Sequence, residues 1–202
     1  MQKFILASAS PRRRELLSKA GFSFEIQTSD AEENENPCGN PREMVLENAL
    51  AKARAVAEKN PDALVLGADT TVALGNHVLN KPADLCEARK MLRALGGNAH
   101  TVFTGIALVC AGTGFCETRV VACRVKFKPL SDEVISRYFE ICNPLDKAGA
   151  YGIQEGGELI VESYEEPLSN IIGLPVELIA PRLRELLAAG GNVFFLGGSL
   201  HG

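Results

Sequence analysis

The chain is 202 residues long, 46% hydrophobic and 23% charged, with a net charge of −4 at neutral pH. A chain of this size buries about 70% of its unfolded surface; its apolar content excludes intrinsic disorder, and the lack of a Gly-X-Y or heptad repeat excludes fibrous classes. No apolar run approaches the roughly 18 residues that span a bilayer, and mild overall acidity argues against stable nucleic-acid binding, which draws on clustered positive charge, while leaving room for one locally basic anion site.

In chain order, Phe4–Ser8 reads as a strand. Ser10-Pro11 then opens a helix that runs to Gly21, because Ser is a favoured N-cap, Pro fits the first helical position and Gly ends a helix in the left-handed conformation. Met1–Ser8 is too short in apolar residues for a secretory leader, so a reducing, cytoplasmic setting is expected. Phe22–Thr28 reads as a second strand, followed by an acidic loop from Asp30 to Asn40. Asn40-Pro41 opens a helix lasting to about Lys59. Ala63–Leu74 is an apolar strand with a second arm after the Gly75-Asn76 turn. Asp84 caps a helix whose apolar positions Leu85, Ala88, Met91, Leu92 and Leu95 repeat at helical spacing and stop at Gly96-Gly97.

Thr101–Ala111 and Phe115–Phe127 flank a Gly-Thr-Gly turn and read as an antiparallel hairpin. Ser131 starts a helix to about Ile141, with Asp132 and Glu133 favourably in its first turn. Asn143–Gln154 reads as a polar loop and Glu158–Tyr164 as a short strand. Pro175–Ala188 is the last helix, in which Pro181 predicts a kink or a break. Residues 1–190 read as a single two-lobed domain and 191–202 as a tail. Strands, helices and a hairpin together predict a mixed α/β sheet with helices packed on it.

The six cysteines (Cys38, Cys86, Cys110, Cys116, Cys123 and Cys142) form no CxxC pair and have no histidine at zinc-ligand spacing, so they read as reduced thiols. His77, His100 and His201 have no serine or cysteine partner that suggests a triad.

Several residues break the bland pattern. Arg12, Arg13 and Arg14 sit in the first turn of a helix, where they oppose its dipole. Either this is a solvated basic turn, or an anion sits there on Ser8, Ser10 and the backbone N–H groups. Lys52 falls inside the apolar stripe of its helix, so its amine must snorkel or meet an anion. Asp69 interrupts the apolar strand Leu64–Leu74, and a buried carboxylate there needs a cation, a metal or a water to activate. Lys81 stands beside a stiff Pro82, and Glu32 and Glu33 offer oxygen ligands. The residues 146–154 combine an ion pair, small residues and the amide of Gln154. Cations for phosphates, a carboxylate to orient water and oxygen ligands for Mg²⁺ or Mn²⁺ are the parts needed to cleave a phosphoanhydride.

Seven ordered motifs then become legible: Ser8-Ala9-Ser10-Pro11-Arg12-Arg13, Lys52-Ala53, Gly67-Ala68-Asp69-Thr70, Lys81-Pro82, Thr104-Gly105, Asp146-Lys147-Ala148-Gly149 and Gly173-Leu174-Pro175. In this order they resemble the Maf family of nucleoside triphosphate pyrophosphatases. The resemblance implies an elongated α/β fold like that of inosine triphosphate pyrophosphatases, with two lobes around a cleft. It implies a cytoplasmic homodimer and metal-dependent hydrolysis between the α and β phosphates. By that resemblance Asp69 is the proton acceptor, Glu33 and Asp69 hold the metal, and Lys52 and Lys81 neutralise the triphosphate. Ser8, Ser10 and Arg13 line the phosphate end, and Arg12, Thr70 and Gln154 match positions linked with base selection. Where the family reads Asp-Glu, this chain has Glu32-Glu33. The stretch 149–154 resembles the branch acting on dTTP and UTP, and a glutamine amide can both donate to and accept from a thymine or uracil edge. The alternatives are the sister branch that prefers 7-methyl-GTP, and a non-catalytic, nucleotide-binding regulator of cell division.

Overall fold

The computed structural model describes residues 2–36 and 38–189. The chain opens with β1 (Phe4–Leu6), α1 (Pro11–Lys19), β2 (Glu25–Ile26) and α2 (Pro41–Ala57). There follow β3 (Leu64–Leu74), β4 (His77–Leu79), α3 (Leu85–Leu95) and the long hairpin of β5 (Ala99–Cys110) and β6 (Phe115–Phe127). The last elements are α4 (Asp132–Ile141), α5 (Gly157–Ile160), β7 (Val161–Tyr164), α6 (Leu168–Ile172) and α7 (Val176–Ala189). The local signals act as expected at the helix starts. Ser10 accepts from the Arg13 N–H, Asn40 from the Arg42 N–H, Asp84 from the Glu87 N–H and Ser131 from the Val134 N–H.

Seven strands form one mixed sheet in the order β2-β1-β3-β5-β6-β7, with β4 beside β3. β1 is parallel to β2 and β3, and the remaining pairs are antiparallel. The predicted mixed α/β architecture with flanking helices is therefore the observed one.

Three apolar clusters hold the sheet's helices. Leu64, Leu66 and Ala68 of β3 point to the face packed by Leu17 of α1 and by Ile179, Leu183 and Leu186 of α7. Val65, one residue out of step, points to the opposite face, where Ala49, Ala53 and Val56 of α2 lie. Farther along, Val72, Val102, Val125 and Phe127 pack with Leu92, Ile135, Tyr138 and Ile160 in a third cluster. β3 and β5 are long enough to run from the first two clusters into the third, β6 joins the first to the third, and the cleft forms where they cross over.

α2 lies unusually near the sheet because two strand positions facing it are glycines. A Cβ on Gly67 would sit 2.2 Å from the Ala49 carbonyl oxygen, and one on Gly105 would sit 2.2 Å from that of Val45. Only hydrogen fits there.

Four local expectations are corrected. The strand expected over Phe22–Thr28 is only Glu25–Ile26, because Phe22 and Phe24 turn their rings edge-on against Phe4 instead of continuing the ladder. Glu158 lies in a helical turn, not a strand: Gly156 takes a positive φ of 70°, starts α5 and drives Ile160 into the core, so the strand begins at Val161. The segment Leu168–Ile172, assigned to no element from sequence, is α6. Pro181 does not break α7, since its missing N–H omits one bond near the first turn while Ile179, Ala180, Leu183 and Leu186 stay buried on one face. The segment 190–202, including Val193–Leu196, lies outside the described residues.

His100 is buried on β5, with Nε2 2.8 Å from the Tyr151 hydroxyl and its ring edge-on to Phe127. Burial pushes its pKa from 6.5 down to about 4. Between those values the unfolded chain takes up a proton that the folded chain refuses, so stability falls as pH drops through that window. The cost is on the order of 3 kcal/mol at its acid end. We expect His100→Gln to lose roughly 5–10 °C less in melting temperature than wild type between pH 7 and 4.5. Parallel melting curves for the two proteins would remove His100 as the titrating group.

Candidate functional site

The cleft is seated at a gap in the sheet. β1 ends opposite Leu66 and the antiparallel β4 ends opposite Val72, so among the described residues positions 67–71 of β3 have no strand neighbour on that side. Successive side chains of β3 point to opposite faces. Asp69 thus shares the face of α2, and Thr70 the face of α1, yet with no strand between them both open into one cavity of about 450 Å³. Ser8, Ser10, Arg12, Arg13, Glu33, Lys52, Asp69, Thr70, Lys81 and Gln154 all line it. Glu32, the neighbour of Glu33 in the acidic loop, does not, whereas Glu35 of the same loop does.

On the α2 side, the Lys52 ammonium lies 2.8 Å from Asp69 Oδ1 and 2.7 Å from Glu33 Oε2. The side chains of Lys52 and Asp69 are each 12% exposed, so this contact is far drier than a surface ion pair. The second Asp69 oxygen, Oδ2, accepts from Asn48 Nδ2 at 3.1 Å. Lys52 therefore meets an anion, as its place in the apolar stripe requires.

On the α1 side, Arg13 is the anchored cation. Its Nε donates to the Gly173 carbonyl at 2.9 Å, Nη1 to Ser8 Oγ at 3.2 Å and Nη2 to Thr70 Oγ1 at 3.0 Å. Thr70 is itself 3.0 Å from Thr104, its cross-strand partner, which donates to the Asn170 carbonyl. Burial pulls the Arg13 pKa below the usual guanidinium value, with Asp69 acting in the opposite sense. Three contacts leave two of the five guanidinium N–H groups free for an anion.

Arg12 takes a different course. It reaches across to Asp146 at 3.2 Å, joining α1 to the 3₁₀ turn at Pro144–Asp146. Asp146 also pairs with the buried Lys147 at 2.8 Å, and Lys147 lies 3.3 Å from Glu155. Burial would raise the Asp146 pKa, but Lys147 and Arg12 outweigh it and hold the carboxyl below its ordinary range. Burial likewise works against the Lys147 ammonium, and the hydrogen bond and charge of Asp146, with the charges of Cys142 and Glu155, carry its pKa above the usual value. Lys81 and Gln154 are exposed on the cavity wall, free of hydrogen bonds and ion pairs among the described residues.

Glu33 and Asp69 grip one cation, the Lys52 ammonium, from two sides. A carboxylate pair on a shared cation is also the donor chemistry of a hard divalent ion, which takes one or two carboxylates and completes its shell with water and phosphate oxygens. Among the described residues no cluster of three or more His, Cys, Asp or Glu side chains adds to them. The set therefore suits an ion that needs a phosphate ligand better than one held wholly by protein.

Sequence reasoning missed Asn48, Thr104, Asn170 and Tyr151 as individual members of this network. Asn48 carried a usable signal, being polar and one turn before Lys52 on the same apolar stripe. Asn170 carried none, because α6 was not recognised.

Comparison with known proteins follows from this geometry. A family profile described as Maf-like protein matches residues 3–186. A protein named dTTP/UTP pyrophosphatase from Bacillus cereus (strain ATCC 10987 / NRS 248) is 42% identical over 185 residues, covering 92% of this chain and 90% of its own. One of the same name from Bacillus anthracis (strain CDC 684 / NRRL 3495) is also 42% identical, covering 92% and 96%. Among solved structures, a HAM1 protein from Coxiella burnetii superposes with a TM-score of 0.53 at 16% identity, over 93% of this chain and 99% of that one. That likeness speaks to the fold.

Proposed function

The chain belongs to the Maf family, and from that premise we propose that it hydrolyses dTTP and UTP to the nucleoside monophosphate and pyrophosphate. The observation that carries this reading is the convergence of Arg13, Lys52, Lys81 and Asp69 on one cavity at the gap in β3.

In this mechanism the triphosphate lies between the two faces of the sheet. Arg13 offers its remaining N–H groups, Ser8 and Ser10 their hydroxyls, and Lys81 its unpaired ammonium to the phosphate oxygens. Asp69, fixed on both oxygens, accepts a proton from the water that attacks the α-phosphate. Lys52 balances Asp69 and Glu33 before substrate enters and the phosphate charge afterwards. Mg²⁺ or Mn²⁺ held by Glu33 and Asp69 would neutralise charge on the phosphates. Gln154, exposed on the wall, reads the O4/N3 edge of the pyrimidine, and Arg12 and Thr70 contribute to base selection. A homodimer in the cytoplasm is the accompanying assembly and setting; no helix among the described residues is long and apolar enough to cross a membrane.

A pyrophosphate-release panel over dTTP, UTP, CTP, dGTP, ITP and 7-methyl-GTP with Mg²⁺ or Mn²⁺ tests the assignment. The expected result is fastest turnover of dTTP and UTP, each giving one monophosphate and one pyrophosphate. A preference for 7-methyl-GTP reassigns the chain to the sister branch, and binding without turnover of any nucleotide favours the regulator. Gln154→Glu is expected to lower kcat/KM for dTTP and UTP by roughly 10- to 100-fold relative to the purine triphosphates, since it swaps a donor for an acceptor. An unchanged substrate ranking would take Gln154 out of the base site.

A further inference from the structure

We infer that Asn48 is a positioning residue for Asp69, orienting its carboxylate and coupling it to the loop that carries Glu33. The inference rests on the reading of Asp69 as the proton acceptor. Asn48 is 4% exposed and uses its whole amide. Its Oδ1 accepts from the Asn34 backbone N–H at 2.7 Å, and its Nδ2 donates both to the Asn34 carbonyl at 3.0 Å and to Asp69 Oδ2 at 3.1 Å. The Asn34 backbone fixes which way the amide faces. Turned over, Asn48 would set its NH₂ against the Asn34 N–H and its oxygen against both the Asn34 carbonyl and the Asp69 carboxylate, with three repulsive contacts in place of three bonds. Asp69 Oδ2 therefore always meets a donor.

Lys52, four residues on, occupies the next turn of the same face of α2. It joins Glu33 to Asp69 Oδ1 as Asn48 joins Asn34 to Asp69 Oδ2. Two successive rungs thus tie the loop to β3, one ionic and one neutral. The ionic rung must loosen when phosphate charge arrives, because Lys52 then has a stronger partner. The neutral rung has no such competitor and keeps the carboxylate plane fixed while the substrate binds.

Two substitutions separate orientation of Asp69 from tethering of the loop. Asn48→Asp keeps the size and the acceptor for the Asn34 N–H but removes the donor to Asp69 and to the Asn34 carbonyl. Asn48→Ala removes all three bonds. With dTTP as substrate, both variants are expected to lose about 10- to 100-fold in kcat, with KM changed less than threefold, and Asn48→Asp to lose at least as much as Asn48→Ala. In metal-free protein, amide exchange at Asn34 is expected to stay slow in Asn48→Asp and become fast in Asn48→Ala. Wild-type kcat in Asn48→Asp would reduce Asn48 to a loop tether and overturn the inference. So would a loss confined to KM. Should Asn48→Ala fail to fold, the isosteric Asn48→Asp decides alone. If wild type turns dTTP over and Asp69→Asn does too, the reading of Asp69 has failed; if only the Asn48 variants are unaffected, this inference has.

Discussion

Asp69→Asn is expected to reduce pyrophosphate release from dTTP by roughly 10²–10⁴-fold, the range spanned by loss of a general base, while the melting temperature stays within a few degrees of wild type. The substitution is isosteric, so β3 and its ladder with β5 are undisturbed. An amide in that place has one oxygen where the carboxylate has two. Facing Lys52 with it leaves an NH₂ against the NH₂ of Asn48; facing Asn48 leaves an NH₂ against the ammonium. Either orientation loses one bond and the ability to take a proton from water. Lys52 retains Glu33 at 2.7 Å, which limits the structural damage. Single-turnover release of pyrophosphate together with a thermal melt checks both halves of the statement. Turnover near wild type would remove Asp69 from the chemistry.

Gly67→Ala is expected to be damaging although it adds one methyl. Its Cβ would lie 2.2 Å from the Ala49 carbonyl oxygen and 2.9 Å from the Ala53 Cβ, and the nearer atom is helix backbone with no rotamer to yield. α2 must lift off the sheet. Overpacking of this kind costs about 1–3 kcal/mol or more, or roughly 2–12 °C in melting temperature for a chain of this size. Asn48 and Lys52 ride on the same helix, so the lift also pulls two donors away from Asp69. A kcat loss of about a hundredfold or more should accompany the drop in stability, because an ångström of misplacement is enough for that. Differential scanning calorimetry and dTTP kinetics on the same preparation measure the pair of effects; a wild-type melt with wild-type kcat would show that α2 has slack the geometry denies.

What was legible in the sequence follows from how local each cause is. Ser10, Asn40, Asp84 and Ser131 announce helices because a cap is satisfied within three residues. Lys52 and Asp69 were legible because a charge in an apolar pattern demands a partner wherever it sits. The three arginines look alike in sequence, but the fold gives them separate fates. Arg13 is held by Ser8, Thr70 and Gly173, Arg12 reaches Asp146, and Arg14 is exposed. Those partners are 57 to 160 residues away for Thr70 and Gly173, and 134 for Asp146. No window of sequence contains them. α5 and α6 are short, and their form depends on Ile160 and Ile171 finding the third apolar cluster, again a tertiary cause. Asn48 was readable by the same logic as Lys52, a polar residue on an apolar stripe, but an uncharged amide demands a partner less strongly than an ammonium does.

The three long strands have a consequence for how the molecule comes apart. β3 and β5 belong to every apolar cluster at once, and β6 reaches two of the three, so no cluster can lose its packing while the others keep an intact ladder. Unfolding is expected to be a single cooperative event, with no species that keeps one cluster native while another is lost. A nucleotide that binds only the folded chain then stabilises all of it by mass action. The grip on a triphosphate and the integrity of the protein are, in that sense, one equilibrium.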